Sequence, residues 1–491
     1  MNPKLLVANR SEIACRIFQT AREMGIATVG IFAPGDEEAR HLTYADEIVP
    51  VVSYLDSVAV VQAGLKVGAT LVHPGYGFLS ERSVFARAVE KAGMTFVGPT
   101  PETMEAMGGK IDAKEIAERS GVPTLPWAKV KPGESLAPAA KRVGFPLLLK
   151  AAAGGGGKGM RRVDREQDLD AAAESASAEA IAAFGDGTLF LERLVLEPRH
   201  IEVQVFGDGK GGGIHLFERE CSLQRRHQKV WEEATAPNLS DETRAGLFEA
   251  SMNLVREVKY RSAGTLEFLV DASGEFFFLE MNTRLQVEHP VTELVTGTDL
   301  VHAQLSLALD PDTFPIPKLS PPRGHAIEVR LYAEDPAQGF MPTPGRVDRL
   351  RWPTGTGIRV ESGIEEGQTI GTSFDSMLGK LIVHAPTREQ AVARMRFALS
   401  ETVILGLGTN QSYLRTLAED PLVVAGKIHT GYLDSVYAKF EPKIAPESLE
   451  MMASARAQGF GKAGVLNPSN VQSDSRNSSY PSPWVKERGA K

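Results

Sequence analysis

The chain has few cysteines and no long apolar run. Cys15 and Cys221 are the only cysteines among 491 residues, and two cysteines cannot build a disulfide framework. No segment reaches the ~18–20 consecutive apolar residues of a membrane span, and the first residues show no basic region followed by an apolar signal core. We therefore expect a protein of the reducing cytoplasm, with no membrane partner.

Positive charge is also in deficit. Lys and Arg total 54 against 62 Asp and Glu, which gives a formal net charge of −8. Because no excess of positive charge attracts polyanions, nucleic acid is disfavoured as a main partner. The 42% of hydrophobic and 24% of charged residues are typical of globular proteins, and the length allows roughly two to four domains.

The order of apolar and polar segments divides the chain. Alternating strands and helices predict a parallel α/β domain at residues 1–113, and a β-rich region follows at 114–310. The Pro-rich segment DPDTFPIPKLSPPRG is typical of a linker, after which short strands and a helix predict a further domain at 324–440. In the tail, 441–491, the last ~25 residues are too polar to bury a core, so we expect disorder there. The fold class is α/β (α+β).

Glycines are concentrated after a short apolar strand that ends at Lys150. The segment AAAGGGGKGM lets the backbone approach a ligand closely, so its N–H groups can contact phosphates. It lacks the GK[ST] of a Walker loop and no helix start follows, so a classical NTPase loop is not indicated. We predict a flap over phosphates with Lys150 reaching in; a plain flexible hairpin is the alternative.

Two acidic residues mark a predicted hairpin, TLEFLV and EFFFLEM around a DASG turn. Pairing Val270 with Glu275 would set Glu267 opposite Phe278. Glu280 would then be a diagonal neighbour of Glu267 on the same face, close enough to share a cation.

Polar residues continue at every second position beyond this hairpin. If the backbone stays extended, one face carries Glu280, Asn282, Arg284, Gln286 and Glu288, and the other carries Met281, Leu285 and Val287. Glu267, Glu280 and Asn282 offer the hard oxygen ligands that suit Mg²⁺ or Mn²⁺, and no Cys/His spacing indicates zinc. A charged, exposed hairpin is the alternative.

Three further segments carry polar faces. In HIEVQV the residues His200, Glu202 and Gln204 alternate with apolar ones, and this face either lines a site or meets water. A cationic cluster suited to anions comprises Gln224, Arg225, Arg226, His227 and Lys229. Glu328 and Arg330 share one face of the strand AIEVRLYAE, where a surface ion pair is the alternative.

Together these motifs resemble those of biotin carboxylases, the ATP-grasp component of biotin-dependent carboxylases. The matching segments, in family order, are HPGYGFLSE, AAAGGGGKGM, PRHIEVQV, ERECSLQRRHQK, EMNTRLQVEHPVTE and GHAIEVRLYAEDP, and the resemblance covers residues 3–440. It implies an N-terminal biotin-carboxylase domain, a central ATP-grasp domain with a Gly-rich lid at about residues 130–205, and a C-terminal biotin-carboxylase domain.

The resemblance also implies a reaction. The chain would carboxylate biotin on a carrier protein through carboxyphosphate, using ATP, bicarbonate and two Mg²⁺ or Mn²⁺ ions, as the first half-reaction of an acetyl-CoA-type carboxylase of fatty acid biosynthesis. Another bicarbonate-using ATP-grasp ligase, of carbamoyl-phosphate type, is the alternative, and Arg330 in its AEDP strand disfavours it. A noncatalytic assembly subunit is disfavoured by the intact acidic and basic residues.

Individual roles follow from the same resemblance. The ATP contacts would be Lys110, Lys150, Gly154, Gly155, Gly156, Gly157, Glu192, His200, Gln224, His227 and Leu269. The metal ligands would be Glu267, Glu280 and Asn282, and the bicarbonate and biotin pocket would comprise Lys229, Arg284, Gln286, Val287 and Arg330. Glu288 would be the general base and Arg330 would stabilise the biotin enolate, with Arg284 and Lys229 completing the catalytic group.

Two positions depart from the family pattern. MGGK stands where MGDK is usual, so Gly109 removes an acidic neighbour of Lys110, and Arg82 replaces the commoner asparagine of SEN. Neither position carries a predicted catalytic group, but each changes the chemistry of its loop.

The sequence contains no AMKM-like biotin attachment motif. We therefore expect biotin to arrive on a separate carrier chain, with a separate carboxyltransferase chain as a further partner, and the resemblance implies a homodimer. When the chain is co-expressed with a biotin ligase and purified, it should carry no covalent biotin, since no acceptor lysine motif is present. A streptavidin blot checks this, and a reactive band at the mass of the chain would contradict it.

Overall fold

The computed structural model describes residues 2–130, 135–151, 160–226, 228–316 and 318–442. Gly154 to Gly157, His227 and residues 443–491 lie outside the described residues, and so do the flap predicted for the glycines and the disorder predicted for the tail. In the described part, sheets of five, four and eight strands and their flanking helices make up most of the fold.

The N-terminal sheet has five parallel strands in the order β3-β2-β1-β4-β5. Its apolar strands suit a sheet that is covered by helices on both faces. Its elements are β1 (Lys4–Val7), α1 (Ser11–Glu23), β2 (Ala27–Phe32), β3 (Glu47–Pro50), α2 (Ser57–Lys66), β4 (Leu71–His73), α3 (Ser83–Lys91) and β5 (Thr95–Phe96), followed by α4 (Pro101–Gly108) and α5 (Lys110–Arg119). The predicted parallel α/β arrangement is confirmed.

A small antiparallel sheet follows, in the order β6-β9-β7-β8. Its elements are β6 (Trp127–Val130), α6 (Ala137–Val143), β7 (Leu147–Ala151), β8 (Arg161–Val163), α7 (Leu169–Phe184) and β9 (Leu189–Arg193). Leu148 pairs with Glu192 and Lys150 pairs with Phe190. Because alternate residues of a strand share a face, Lys150 and Glu192 lie on the same face of this sheet.

The largest sheet has eight antiparallel strands in the order β14-β13-β10-β11-β12-β15-β22-β20. Its strands are β10 (Arg199–Asp208), β11 (Gly213–Arg225), β12 (Gln228–Ala234), β13 (Arg261–Val270), β14 (Phe276–Asn282), β15 (His325–Tyr332), β20 (Ile358–Ser362) and β22 (Met377–Ala385). Since β15, β20 and β22 come after the Pro-rich segment, one continuous sheet joins the residues on either side of it.

The remaining elements pack around these sheets. The helices are α8 (Asp241–Glu257), α9 (His289–Thr296), α10 (Leu300–Leu309), α11 (Arg388–Glu401), α12 (Gln411–Glu419), α13 (Pro421–Val424) and α14 (Tyr432–Val436). The short strand pairs are β16 (Glu334–Asp335) with β17 (Met341–Pro342), β18 (Gly345–Arg346) with β21 (Thr369–Ile370), and β19 (Arg349–Arg351) with β23 (Val403–Leu405). No helix in the described ranges is both long and apolar enough to span a membrane.

The register predicted for the β13–β14 hairpin is wrong. Val270 pairs with Phe276 rather than Glu275, because the Asp271 carboxylate accepts the N–H groups of Ser273 and Glu275 and lengthens the turn.

A bulge in β14 then shifts the register once more. Phe268 pairs with Phe278 and Glu267 pairs with Glu280, so Leu279 is the extra residue. The two residues are therefore directly opposite each other in the register, rather than in the diagonal arrangement that the sequence predicted.

The apolar face of the large sheet forms a core with helices α11 and α12. Leu381 of β22 lies between Val329 of β15 and Val360 of β20 in the sheet register. It packs in one apolar cluster with Met395 of α11 and Leu414 of α12.

Truncating this core should destabilise the protein. Leu381, 0% exposed, changed to alanine should lower the free energy of unfolding by ~2–5 kcal/mol, because the change removes buried methyl groups and leaves a cavity. Leu55→Ala is the control, since Leu55 is 63% exposed and its change should stay within ~0.5 kcal/mol. Urea unfolding followed by fluorescence measures both; equal losses would contradict the burial argument.

Candidate active site

One cavity of about 610 Å³ is lined by both the small and the large sheet. Every predicted site residue in the described part of the chain lines it. These residues are Lys110, Lys150, Glu192, His200, Gln224, Lys229, Glu267, Leu269, Glu280, Asn282, Arg284, Gln286, Val287, Glu288 and Arg330. Residues of several strands, of the chain after β14 and of the start of α5 thus converge on one space.

Lys229 is the central cation of the cavity. Its Nζ donates to Glu202 at 2.6 Å, to Glu267 at 2.8 Å and to Glu288 at 2.7 Å. Burial alone would lower the pKa of Lys229, but the three carboxylates outweigh it and hold the pKa well above its ordinary value. Lys229 therefore stays protonated and draws three carboxylates from different segments together.

Glu288 lies between two cations. Besides Lys229, it accepts a hydrogen bond from Arg330 Nη2 at 3.0 Å. Burial would raise the pKa of Glu288, but Lys229, Arg330 and Arg219 hold it well below its ordinary value. The carboxylate is thus ionised and oriented, as a proton acceptor needs to be.

Arg330 also donates to a second carboxylate. Its Nε lies 2.6 Å from Glu232, a fully buried residue of β12. Burial raises the pKa of Glu232 to about 7, although Arg330 opposes the shift. Arg330 therefore bridges Glu232 and Glu288, and the alternative of a surface ion pair on this strand is wrong, because both Arg330 contacts are buried.

The residues after β14 reach the cavity without an extended strand. The strand ends at Asn282 and a turn forms at residues 287 and 288, so the prediction of a continuing extended backbone is wrong. Asn282 Nδ2 and Gln286 Nε2 donate to Glu267 at 2.9 and 3.1 Å. Arg284 donates to the Asn282 side-chain oxygen at 3.0 Å. Val287, which the alternation placed on the opposite face, lines the same cavity.

Glu267 and Glu280 form the candidate metal centre. They face each other in the sheet register, and Glu280 lines the cavity. Loss of hydration within the cavity and the nearby carboxylates of Glu267 and Glu81 raise the pKa of Glu280. A divalent cation would relieve this repulsion, and two carboxylates with the Asn282 oxygen are ligands that fit Mg²⁺ or Mn²⁺.

The other end of the cavity is rich in lysine. The carboxylate of Glu192 is paired with both Lys114 and Lys150. Burial, reinforced by Lys150 and opposed by Glu280, lowers the pKa of Lys110 at the start of α5. His200 Nε2 lies 3.1 Å from Glu267, which joins this end to the candidate metal centre.

Several site residues were not predicted. For Glu202 the sequence allowed either a position in a site or a position on a solvated face. Glu202 is fully buried, and it pairs with Lys229 and with the buried guanidinium of Arg219. The alternative that this face of HIEVQV meets water is therefore wrong. The alternation of polar and apolar residues in HIEVQV pointed to Glu202. Arg219 and Glu232 stand in segments in which no such alternation marked them as site residues.

Glu81 contacts a site residue, and the two departures from the family pattern stand next to Glu81 and Lys110 in the chain. Glu81 pairs with Arg284 at 3.1 Å, and it stands in the HPGYGFLSE motif. Arg82 is exposed and directly precedes α3. Gly109 directly precedes Lys110, and a Cβ added there would meet the Asp112 carboxylate at 2.7 Å.

Family models match most of the chain. "Biotin carboxylase, N-terminal domain" matches residues 1–104 and "Biotin carboxylase C-terminal domain" matches residues 328–435. Between them, "Carbamoyl-phosphate synthase L chain, ATP binding domain" matches residues 109–312. The biotin carboxylase of Pseudomonas aeruginosa is 44% identical over 443 residues, 88% of this chain and 98% of that protein. The chain belongs to the biotin carboxylase family. The resemblance stated from the motifs is thereby confirmed, and the family consists of ATP-grasp enzymes.

Relatives with other names match equally well. The mitochondrial methylcrotonoyl-CoA carboxylase subunit alpha of Oryza sativa is 45% identical over 442 residues, and the chain spans only 60% of its length. The biotin carboxylase domain dimer of Hydrogenobacter thermophilus 2-oxoglutarate carboxylase, solved with MgADP, ADP and bicarbonate, is 43% identical with a TM-score of 0.85. The match covers 90% of this chain and 99% of that domain. The family is thus shared by carboxylases with different final acceptors.

The candidate metal centre can be tested without turnover. Glu280→Gln should weaken Mn²⁺ binding in the presence of ADP by roughly tenfold or more, because one of two charged ligands is lost. Electron paramagnetic resonance titration of free Mn²⁺ measures the affinity. Glu275→Gln is the matched control, since Glu275 is exposed in the same hairpin. Unchanged Mn²⁺ affinity in Glu280→Gln would place the metal elsewhere.

Proposed function

We propose that this chain carboxylates biotin with bicarbonate, driven by the cleavage of ATP. The observation that carries the proposal is the placement of Glu288 between Lys229 and Arg330, in the same cavity as the acidic pair of Glu267 and Glu280. An ionised base between two cations suits an anionic substrate that must lose a proton.

Glu288 acts in the first step. It takes the proton of bicarbonate, and the deprotonated oxygen attacks the γ-phosphorus of ATP to form carboxyphosphate, with ADP leaving. Lys229, Arg284, Gln286 and the Val287 segment line the cavity beside Glu288 and hold the bicarbonate. Because Lys229 and Arg284 are cations, they also stabilise the charge that builds up as the bond forms.

The lysine-rich end of the cavity binds the nucleotide. Lys110, Lys150 and His200 contact the phosphates, while Glu192, Gln224 and Leu269 line the adenosine end. Gly154 to Gly157 and His227, which lie outside the described residues, complete the set. Glu267, Glu280 and Asn282 would hold two Mg²⁺ or Mn²⁺ ions. When bound, these ions would neutralise part of the negative charge of the phosphates. The ion pairs of Glu192 with Lys114 and Lys150 keep the lysines oriented.

Arg330 acts in the second step. Carboxyphosphate breaks down to CO₂ and phosphate, and the phosphate takes the N–H proton of the biotin ring, which is held on a carrier protein. The resulting enolate has its oxygen facing the Arg330 guanidinium, and its nitrogen attacks the CO₂ to form carboxybiotin. The bridge from Arg330 to Glu232 and Glu288 presets the guanidinium, so little reorganisation is needed when the charge develops.

The partners belong to the same proposal. Carrier and carboxyltransferase are separate chains, and the biotin carboxylase chain forms a homodimer, as the Hydrogenobacter thermophilus domain does. An acetyl-CoA-type acceptor stays a prediction, since relatives named for methylcrotonoyl-CoA and propionyl-CoA match at 45% and 43% identity. The division into domains at 1–113, 114–310 and 324–440 is likewise proposed.

Two variants separate the two steps. Glu288→Gln should lower bicarbonate-dependent ATP cleavage and biotin carboxylation together, by ~10²–10⁴-fold, because the base is lost. Arg330→Ala should lower carboxylation far more than ATP cleavage, since carboxyphosphate still forms and then hydrolyses. Phosphate release and carboxybiotin are measured side by side with free biotin, with and without bicarbonate.

The control for these variants is Arg346→Ala, because Arg346 is exposed and is not among the described residues that line the cavity. It should leave both products unchanged. Equal loss of both activities in Arg330→Ala would move Arg330 to the bicarbonate step. ATP cleavage by the wild type that ignores bicarbonate would refute the proposed function itself.

A further inference from the structure

A buried lysine behind the cavity carries no role in the chemistry described so far. Lys380 of β22 is 0% exposed. Its Nζ donates to the backbone carbonyl of Val287 at 2.7 Å and pairs with Glu361 at 2.6 Å. Neither Lys380 nor Glu361 is among the described residues that line the cavity.

The sheet register places Lys380 in a row of charged residues. Arg330 of β15 pairs directly with Lys380, and Lys380 pairs directly with Glu361 of β20. Paired residues of neighbouring strands point to the same face. The row therefore runs from the predicted enolate contact, through Lys380, to Glu361.

Lys380 remains a hydrogen-bond donor despite its burial. Burial alone would lower its pKa, but the carboxylates of Glu361, Glu328 and Glu12 raise the pKa above its ordinary value. A buried ammonium without such partners would lose its proton. Glu361 therefore keeps Lys380 charged and holds its ammonium group at the Val287 carbonyl.

The carbonyl that Lys380 holds belongs to the peptide that joins Val287 to Glu288. The preceding carbonyl, of Gln286, accepts from the ring of His289 at 2.7 Å. Lys380 and His289 thus hold two successive peptide groups by hydrogen bonds to their carbonyls, directly before the start of α9. Fixing these planes limits where the Glu288 carboxylate can point.

We propose that Lys380 is a positioning residue that, anchored by Glu361, fixes the Val287–Glu288 peptide and thereby holds the Glu288 carboxylate between Lys229 and Arg330. This inference rests on the proposed role of Glu288 as the base. The cations that lower the pKa of Glu288 are Lys229, Arg330 and Arg219, so the part played by Lys380 is geometric.

Ion pairs that start at Glu361 also reach Glu293, at the other end of the segment that begins with Val287. Glu361 pairs with Arg359, and Arg359 donates to Glu293 of α9 at 2.8 Å. Arg16 of α1 pairs with the same Glu293 at 2.9 Å. The stretch from Val287 to Glu293 is therefore tied at both ends to one buried ion-pair network.

The test separates positioning from simple stabilisation. Lys380→Met removes the hydrogen bond and leaves Glu361 short of a cation, whereas Lys380→Met with Glu361→Gln removes the hydrogen bond and both charges. The thermal midpoint, the KM for ATP and the bicarbonate kcat/KM of ATP cleavage are measured for each. Lys66→Met, on the exposed face of α2, is the control.

In the double variant the thermal midpoint should return toward the wild-type value, because the buried carboxylate that pairs with Lys380 is removed together with it. The bicarbonate kcat/KM should stay lowered by roughly tenfold to a hundredfold, since a misplaced catalytic group costs that much, while the KM for ATP stays within about twofold of the wild type. Recovery of bicarbonate kcat/KM in parallel with the midpoint would overturn the proposal.

A conservative variant gives a second, independent result. Lys380→Arg keeps a donor at this place and should retain more bicarbonate kcat/KM than Lys380→Met; equal losses would overturn the positioning role. A wild-type enzyme whose ATP cleavage ignores bicarbonate would overturn the proposed function and this inference with it. Normal bicarbonate kcat/KM in the wild type and in both variants that carry Lys380→Met would overturn this inference alone.

Discussion

The contact on which the site depends is that of the Lys229 ammonium with three buried carboxylates. Glu202, Glu267 and Glu288 come from β10, β13 and the turn before α9, and each accepts from the same Nζ. Without the cation, these carboxylates would repel one another in a poorly hydrated interior. Arg219 pairs with Glu202 from its other side and Arg330 pairs with Glu288, so three cations face the three carboxylates.

The large sheet makes this cluster possible because its two faces have different chemistry. One face packs apolar residues such as Val329 and Leu381 against α11 and α12. The other carries charges in register: Glu232 pairs with Glu328, and Arg330 pairs with Lys380. An antiparallel sheet usually exposes its polar face to water, but the segments around α1 and α9 cover this one. The covered charges therefore have to pair with each other, and that pairing orients the groups at the cavity.

Residue alternation in the sequence identifies the members of the site but not their geometry. Alternation grouped Glu280, Asn282, Arg284, Gln286 and Glu288 on one face, and all five line one cavity, but Val287, which it placed on the other face, lines that cavity too. Yet β14 ends at Asn282, and the Asp271 turn and the bulge at Leu279 set a register that alternation alone does not encode. Local side-chain hydrogen bonds and one inserted residue decided how the two carboxylates face each other.

The sequence by itself determined the family, the parallel N-terminal sheet and half of the residues that line the cavity, because motif spacing and apolar periodicity are local properties. Only the tertiary structure decided which charges meet. Glu202 with Arg219, Glu232 with Arg330, and Lys380 with Val287 join residues from 17 to 98 positions apart. Such pairs form because burial in a shared interior makes an unpaired charge costly, and that burial exists only once the strands have come together.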